Sequence, residues 1–463
     1  MERKNAWAAY AGDDGRVEAF AKAYCDFINN GKTERECVAY GEKLAKAHGF
    51  EDLNAVVRSG RKLEAGARVY VNWMGKSFML FVLGEKPLEE GMNILGAHID
   101  SPRIDVKQNP LYEDTDLAYL DTHYYGGIKK YQWVAIPLAL HGVIVRKTGE
   151  KVIINIGEDE NDPVFCISDL LVHLAQEQMT KNAKEVVEGE ALNLIVGGRP
   201  LEGEEKDAVK ANVLKLLADK YGVEEEDFLS AELEIVPAGK ARDMGFDRSM
   251  ILAYGHDDRV CAYPSMMAVL DYEGTPEYTL CCIVTDKEEI GSVGATGMAS
   301  HYLENTVAEL YACTADYCEL AVRRCLRNSR MLSSDVSAGY DPNFASAFEK
   351  KNSAFLGRGI CFNKFTGSRG KSGSNDANPE FMASLRKIMD DAGVAFQTAE
   401  LGRVDLGGGG TIAYLCAKYG MNVIDSGIAV LSMHAPYEII SKVDLYEGYR
   451  CYCAFLKGAK PVD

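Results

Sequence analysis

The 463-residue sequence contains no uninterrupted run of about 18 apolar residues, the length a helix needs to cross a bilayer. Its opening, MERKNAWAAYAGDDGR, lacks the apolar core of a secretory signal. Together these absences predict a protein of the cytoplasm with no membrane partner. No block of clustered Lys and Arg is present either, and the net charge is −18. Binding to a phosphate backbone depends on such clusters, so no nucleic-acid partner is expected. Although there are 13 cysteines, no CxxC pair occurs among them, which argues against a thiolate zinc site. An odd number cannot all pair. Most fall within apolar patterns, Cys281 and Cys282 in a strand and Cys261, Cys416 and Cys453 in helices, where a reduced thiol acts as a small hydrophobe. Internal repeats and low-complexity tracts are missing as well.

A chain of this length exceeds what one core usually supports, so two domains, or one with an insertion, are expected. Residues 16–50 repeat apolar positions at helical spacing, and Thr33 with Glu36 forms a capping-box signature. RVYVNWMGKSFMLFVLG reads as a hairpin turning at Gly75, and MNILGAHID as a buried strand. Between 105 and 243 the texture changes. QWVAIPLALHGVIVRKTGEKVIINIG predicts strands joined by a turn at Thr148-Gly149, followed by helices near 168–181 and 205–221. From about 248 strands and helices alternate: SMILAYG, the helix opened by DDRVCAYP, YTLCCIVTD, RMLSSD, the helix after NPEF, NVIDSGI and a final helix from Ser441. Such alternation predicts a mixed, largely parallel sheet with helices on both faces. The simplest organisation is an α/β domain made of 1–104 and 244–463, interrupted by a β-rich module over 105–243.

Residues suited to binding metal stand at the ends of the predicted strands: His98 and Asp100 in GAHID, His256, Asp257 and Asp258 in GHDDR, Glu288 and Glu289 in TDKEEIG, Asp335 in LSSD and His434 in SMHAPYE. Ligands of open α/β sheets collect at the carboxyl ends of strands. Two imidazoles and three carboxylates favour zinc or a related divalent ion over calcium or magnesium. Each stretch alone has an ordinary explanation: a hydrogen-bonded histidine, an N-capping Asp pair, a solvated Glu pair or a turn aspartate. Their joint occurrence, in this order and at strand ends, favours the metal reading.

GAHIDSPRIDVK, HDDRVCAY, DKEEIGSVGATG, SSDVSAGYDPNF and MHAPYEIISKVDL together resemble the M18 family of metallo-aminopeptidases, the aspartyl aminopeptidase group of the co-catalytic zinc exopeptidases. The resemblance runs from about residue 93 to the end. It implies two divalent ions per subunit, zinc foremost with cobalt or manganese also compatible, and hydrolysis of the N-terminal residue of peptides. His98 and Asp335 would hold one ion, Glu289 and His434 the other, and Asp257 would bridge, with Asp258 as the alternative bridge. Glu288 would be the general base, which explains why a buried strand ends in adjacent acids: one is neutralised by coordination and the other moves a proton. Asp100 would orient the ring of His98 by accepting its free N–H, while His256 is read as structural.

Where the family has Leu-Asp-Asn, this chain has His256-Asp257-Asp258, one charge more. Lys371 matches a family lysine near the substrate and implies acceptance of Asp or Glu as first residue, against broad or neutral specificity as the alternative. His173 resembles a histidine that reaches a neighbouring active site across a subunit interface. The resemblance also implies a homo-oligomer, a tetrahedral dodecamer, with the inserted module mediating contacts and shielding the sites. The rival enzyme is a deacylase or carboxypeptidase of the same clan, in which Lys371, Arg369 or Arg403 would receive a substrate carboxylate. A scaffold that keeps the fold without activity is disfavoured, because neither Glu288 nor any ligand is lost.

Overall fold

The computed structural model describes residues 4–367 and 370–462. The chain divides into two compact units. One is Met1–Asp100 with Ala241–Met433 and Glu438–Asp463, and the other is Ser101–Lys240 with His434–Tyr437.

The first unit is mixed α/β. Its nine-stranded sheet runs in the order Glu51–Asp52, Arg68–Trp73, Ser77–Val82, Thr279–Thr285, Met92–His98, Arg330–Ser334, Asn422–Gly427, Ile360–Asn363 and Phe396–Thr398. Thr279–Thr285, Met92–His98, Arg330–Ser334 and Asn422–Gly427 are mutually parallel and form the centre. The period-two alternation of a strand explains why helices cover both faces. Leu80, Leu95, Cys282, Leu332 and Ile424 enter a core with the helices Gly15–Asn30, Glu34–Ala47, His256–Leu270, Pro379–Ala392 and Lys442–Gly458. Their strand neighbours Met79, Ile94, Cys281, Met331 and Val423 enter a second core with Leu53–Ser59, Tyr302–Thr314, Glu319–Asn328 and Ala413–Ala417. Consecutive cysteines 281 and 282 thus fill opposite cores as apolar residues, and Cys261, Cys416 and Cys453 lie in helices as expected. The capping box is present, with Thr33 accepting from the amide of Glu36 and Glu36 returning to Thr33. The hairpin turns through Met74 and Gly75, both at positive φ (57° and 71°), with the Lys76 amide donating to the Trp73 carbonyl at 3.1 Å and Trp73 pairing with Ser77 across the turn.

In the second unit a six-stranded antiparallel sheet has the order Lys151–Ile156, Leu138–Val145, Ala231–Pro237, Arg103–Asp114, Leu117–Tyr125 and Leu194–Gly197. The expected helix near 205–221 forms over Ala208–Tyr221. The one expected near 168–181 does not. That stretch is turns and a single 3-10 turn, Gln178–Thr180. Leu170, Leu171, Val172 and Leu174 are all exposed. Leu170, Leu171 and Leu174 do stand at helical spacing, but they are not buried, and most helical stability comes from such burial.

Candidate metal centre

The parallel register places the acids. His98 is the last residue of its strand and pairs in register with Thr285, while Ser333 pairs with Gly96. Three adjacent strands therefore end at one edge of the sheet. Beyond Thr285 the chain passes Lys287 at φ 67° into the 3-10 turn Glu288–Ile290, and beyond Ser334 it reaches Asp335. The sequence Gly255-His256-Asp257 opens the helix His256–Leu270, within which Asp257 is extended and the Asp257–Asp258 peptide is cis.

His98 is the hub. Its Nε2 lies 3.2 Å from Asp257 Oδ1 and 3.9 Å from both Glu288 Oε2 and Asp335 Oδ1. Its Nδ1 is 3.0 Å from the carbonyl oxygen of Asp100 and 3.3 Å from that residue's Oδ1. Asp100 is itself fully buried, and its two oxygens accept the backbone amides of Glu288 and Glu289, each at 3.2 Å. One carboxylate thus touches the imidazole and fixes the backbone that carries both glutamates. Potential ligand atoms of His98, Asp257 and Glu289 fall within 4.8 Å of one another, as do those of His98, Glu288 and Asp335.

Charge in this cluster is strongly unbalanced. Burial pushes the Asp335 carboxyl well above the usual range, and Glu288 beside it pushes further. Asp258, whose Oδ2 accepts the His98 amide at 3.3 Å, is also driven up, mainly by burial. Burial alone would depress the His98 imidazolium, but Asp100, Asp257, Asp335 and Glu288 reverse the sign and hold it well above its ordinary value. Carboxylates destabilised by burial and by one another need a cation. One imidazole nitrogen among carboxylate oxygens is a donor set that fits zinc.

The other expected residues are placed as follows. His434 lies in the segment grouped with the second unit, its Nδ1 2.8 Å from the carbonyl oxygen of Gly127, and it belongs to neither ligand group. His173 is exposed in a turn. Lys371, at φ 64°, pairs with Asp376 at 3.0 Å and lies 3.8 Å from the Phe365 ring centre. Arg403 donates to the carbonyl of Ser346 at 3.3 Å, and Arg369 lies outside the described residues. His256 is buried in contact with the Tyr24 hydroxyl at 2.7 Å, and burial depresses its pKa to about 3, consistent with a neutral structural ring. Sequence reasoning gave no role to Glu438, whose Oε2 accepts the Asp257 amide at 3.0 Å, although it stands in the same SMHAPYE stretch. Asp425 was also missed. It is buried beside Thr411, and burial raises its pKa to about 7. A lone acid inside the apolar strand NVIDSGI was the available signal.

Residues 27–456 match the family model described as Aminopeptidase I zinc metalloprotease (M18). The chain belongs to the M18 aminopeptidases. It is 58% identical over 459 residues to a probable M18 family aminopeptidase 1 of Clostridium acetobutylicum, covering 98% of each chain. The crystal structure of an M18 aminopeptidase from Thermotoga maritima superposes with a TM-score of 0.94 at 43% identity, over 99% of this chain and 100% of that one. A dodecamer of mApe1 from S. cerevisiae shares the fold at 21% identity and a TM-score of 0.75, over 96% of this chain and 97% of that one. This M18 chain is accordingly a metallo-aminopeptidase, a hydrolase of a zinc-dependent family.

Proposed function

We propose that the enzyme is binuclear, with His98, Asp257, Glu289, Asp335 and, as read from the sequence, His434 holding the ions and Glu288 serving as general base. The observation that carries this reading is the pair of overlapping ligand groups sharing His98, one containing Glu289 and the other Glu288. Zinc held there supplies Lewis acidity toward the scissile carbonyl and a lowered pKa for water. The Glu288 side chain is 14% exposed, close to the 15% of Asp335 and against 2% for His98, so it lies on the side of the cluster open to solvent, where a base must meet the attacking water. It accepts the water's proton and returns it to the departing amine. Asp100 takes no proton. It keeps His98 and the Glu288–Glu289 backbone in register.

The test is a metal count by mass spectrometry together with turnover of a matched pair of peptides, one with a free N-terminus and one N-acetylated. Two ions per chain with cleavage of the free peptide alone is the expected result. Equal or preferential cleavage of the acetylated peptide would establish the deacylase reading instead.

Acceptance of acidic first residues follows from the M18 resemblance and from Lys371. Since its ammonium pairs with Asp376, an incoming carboxylate must compete with that partner. A homo-oligomer is supported by the exposed apolar run Leu170, Leu171, Val172 and Leu174 with Met179 in the second unit, a patch of the kind that marks an interface, and by the dodecamer recorded for S. cerevisiae mApe1. His173 lies within that run and is the side chain proposed to reach a neighbouring subunit's site. Val172→Asp with Leu174→Asp should reduce the mass measured by light scattering.

A further inference from the structure

We infer that the catalytic unit carries a second binding site, lined by none of the proposed metal ligands, for a small molecule bearing a chain of phosphates. A cavity of about 710 Å³ opens beside Phe396–Thr398, the edge strand of the nine-stranded sheet. Four cations line it, Lys350, Lys351, Arg358 and Arg386, and no acidic residue does. In a chain of net charge −18 this concentration of one sign is a departure from the background.

The way these cations are held distinguishes the cavity from an ordinary solvated face. Among the described residues, none of the four side chains takes part in an ion pair. Neighbouring cations do pair: Lys364 and Lys371 with Asp376, and Lys387 with Asp391 at 2.6 Å. Arg386 has Asp390 four residues along the same helix, a spacing suited to pairing, yet it lines the cavity instead. Arg358 and Lys350 rest on aromatic rings, 4.6 Å from the centre of Phe355 and 5.4 Å from that of Tyr340. A ring holds a cation by its face and leaves the N–H groups available to an anion. Among the acids nearby, Glu349 is engaged by the amides of Lys351 and Asn352 at 3.2 and 3.0 Å, and Glu400 donates its amide to the Asn352 carbonyl at 2.8 Å without lining the cavity. The wall is rigid, because the Gln397 side chain accepts the Phe355 amide at 2.9 Å and donates to the carbonyls of Phe355 and Gly359 at 2.9 and 3.1 Å.

Like charges facing one concavity repel unless a multivalent anion joins them. Two guanidinium forks suit the paired oxygens of phosphates, and the volume is that of a small-molecule site rather than of an extended peptide groove. The occupant is therefore a polyphosphate group, free or carried by a nucleotide.

Isothermal titration of inorganic tripolyphosphate into the full-length, metal-loaded enzyme tests this, with ATP, orthophosphate and a hexaglutamate peptide as comparators. Saturable binding of tripolyphosphate or ATP, tighter than orthophosphate and weakened by salt, is expected, with affinity reduced at least about tenfold in Lys351→Gln/Arg386→Gln. Both side chains are exposed, so the fold should survive their loss, and Arg358→Gln provides a second variant. Equal affinity for tripolyphosphate and ATP assigns recognition to the phosphates alone, and tighter ATP binding assigns a nucleotide. Binding that persists unchanged in both variants is chelation at the metal centre and overturns the inference, as does hexaglutamate binding more tightly than tripolyphosphate.

Discussion

Asp100→Asn is the substitution that separates a positioning carboxylate from a bystander. The replacement preserves shape and removes one acceptor. Asp100 Oδ1 receives the Glu288 amide and Oδ2 the Glu289 amide, while Oδ1 also lies 3.3 Å from His98 Nδ1. Asparagine offers one oxygen and one NH2, so in either orientation a backbone N–H faces a donor at a site with no exposure to water. Losing a charge-assisted hydrogen bond costs roughly 1.5–3 kcal/mol, and leaving a buried donor unsatisfied costs about 1–3 kcal/mol. A combined loss of about 3 kcal/mol corresponds to about two orders of magnitude in an equilibrium constant. Because the displaced backbone carries both glutamates, the loss should appear in metal affinity, measured by chelator competition, and in kcat/KM at saturating zinc. It also falls in the range of about 10- to 100-fold found when partners of metal-bound histidines are removed. A variant within about twofold of the parent in both assays would refute the reasoning and reduce Asp100 to a turn residue.

Glu288→Gln should retain both ions by mass spectrometry while turnover falls about 10²- to 10⁴-fold, whereas Glu289→Gln should lose metal; equal metal loss in both would erase their division of labour. Lys371→Met should lower kcat/KM for aspartyl and glutamyl substrates more than for leucyl ones, and an equal fall in both classes would make Lys371 a general positioning residue. Asp425 has a folded pKa of about 7, raised by burial. Its folded pKa lies above the unfolded value of about 4, so its contribution to stability is full below about pH 4 and is lost as pH rises toward about 7. Denaturant titrations of the metal-free protein across that window should show the decline, and Asp425→Asn should flatten it; an unchanged slope would mean that another group titrates.

The strand-end positions of four candidate residues could be read from the sequence because each is adjacent to a short apolar run, and parallel strands end where their ligands gather. His98, Glu288, Glu289 and Asp335 stand at such ends. The partners of the backbone could not be read this way. That Asp100 holds the amides of Glu288 and Glu289, or that Glu438 holds the amide of Asp257, depends on segments nearly two hundred residues apart in sequence. No local pattern encodes such a contact. Leu170 to Leu174 misled for a different reason: Leu170, Leu171 and Leu174 keep helical spacing, yet all are exposed, so no burial supports a helix there. Strand order was equally hidden, as in Ile360–Asn363, which joins antiparallel to Asn422–Gly427 beside an otherwise parallel centre.

The strand Met92–His98 lies between Thr279–Thr285 and Arg330–Ser334, so both of its hydrogen-bonding neighbours follow it in the chain by the whole length of the inserted segment and more. During synthesis this fully buried, apolar strand leaves the ribosome long before either neighbour exists, with both of its edges open. Parallel pairing across such separations is slow to form, and open apolar edges are sites of aggregation until it does. The ribosome's rate through residues 100 to 330 therefore sets how long the segment that ends in His98 must be kept from pairing with the wrong chain.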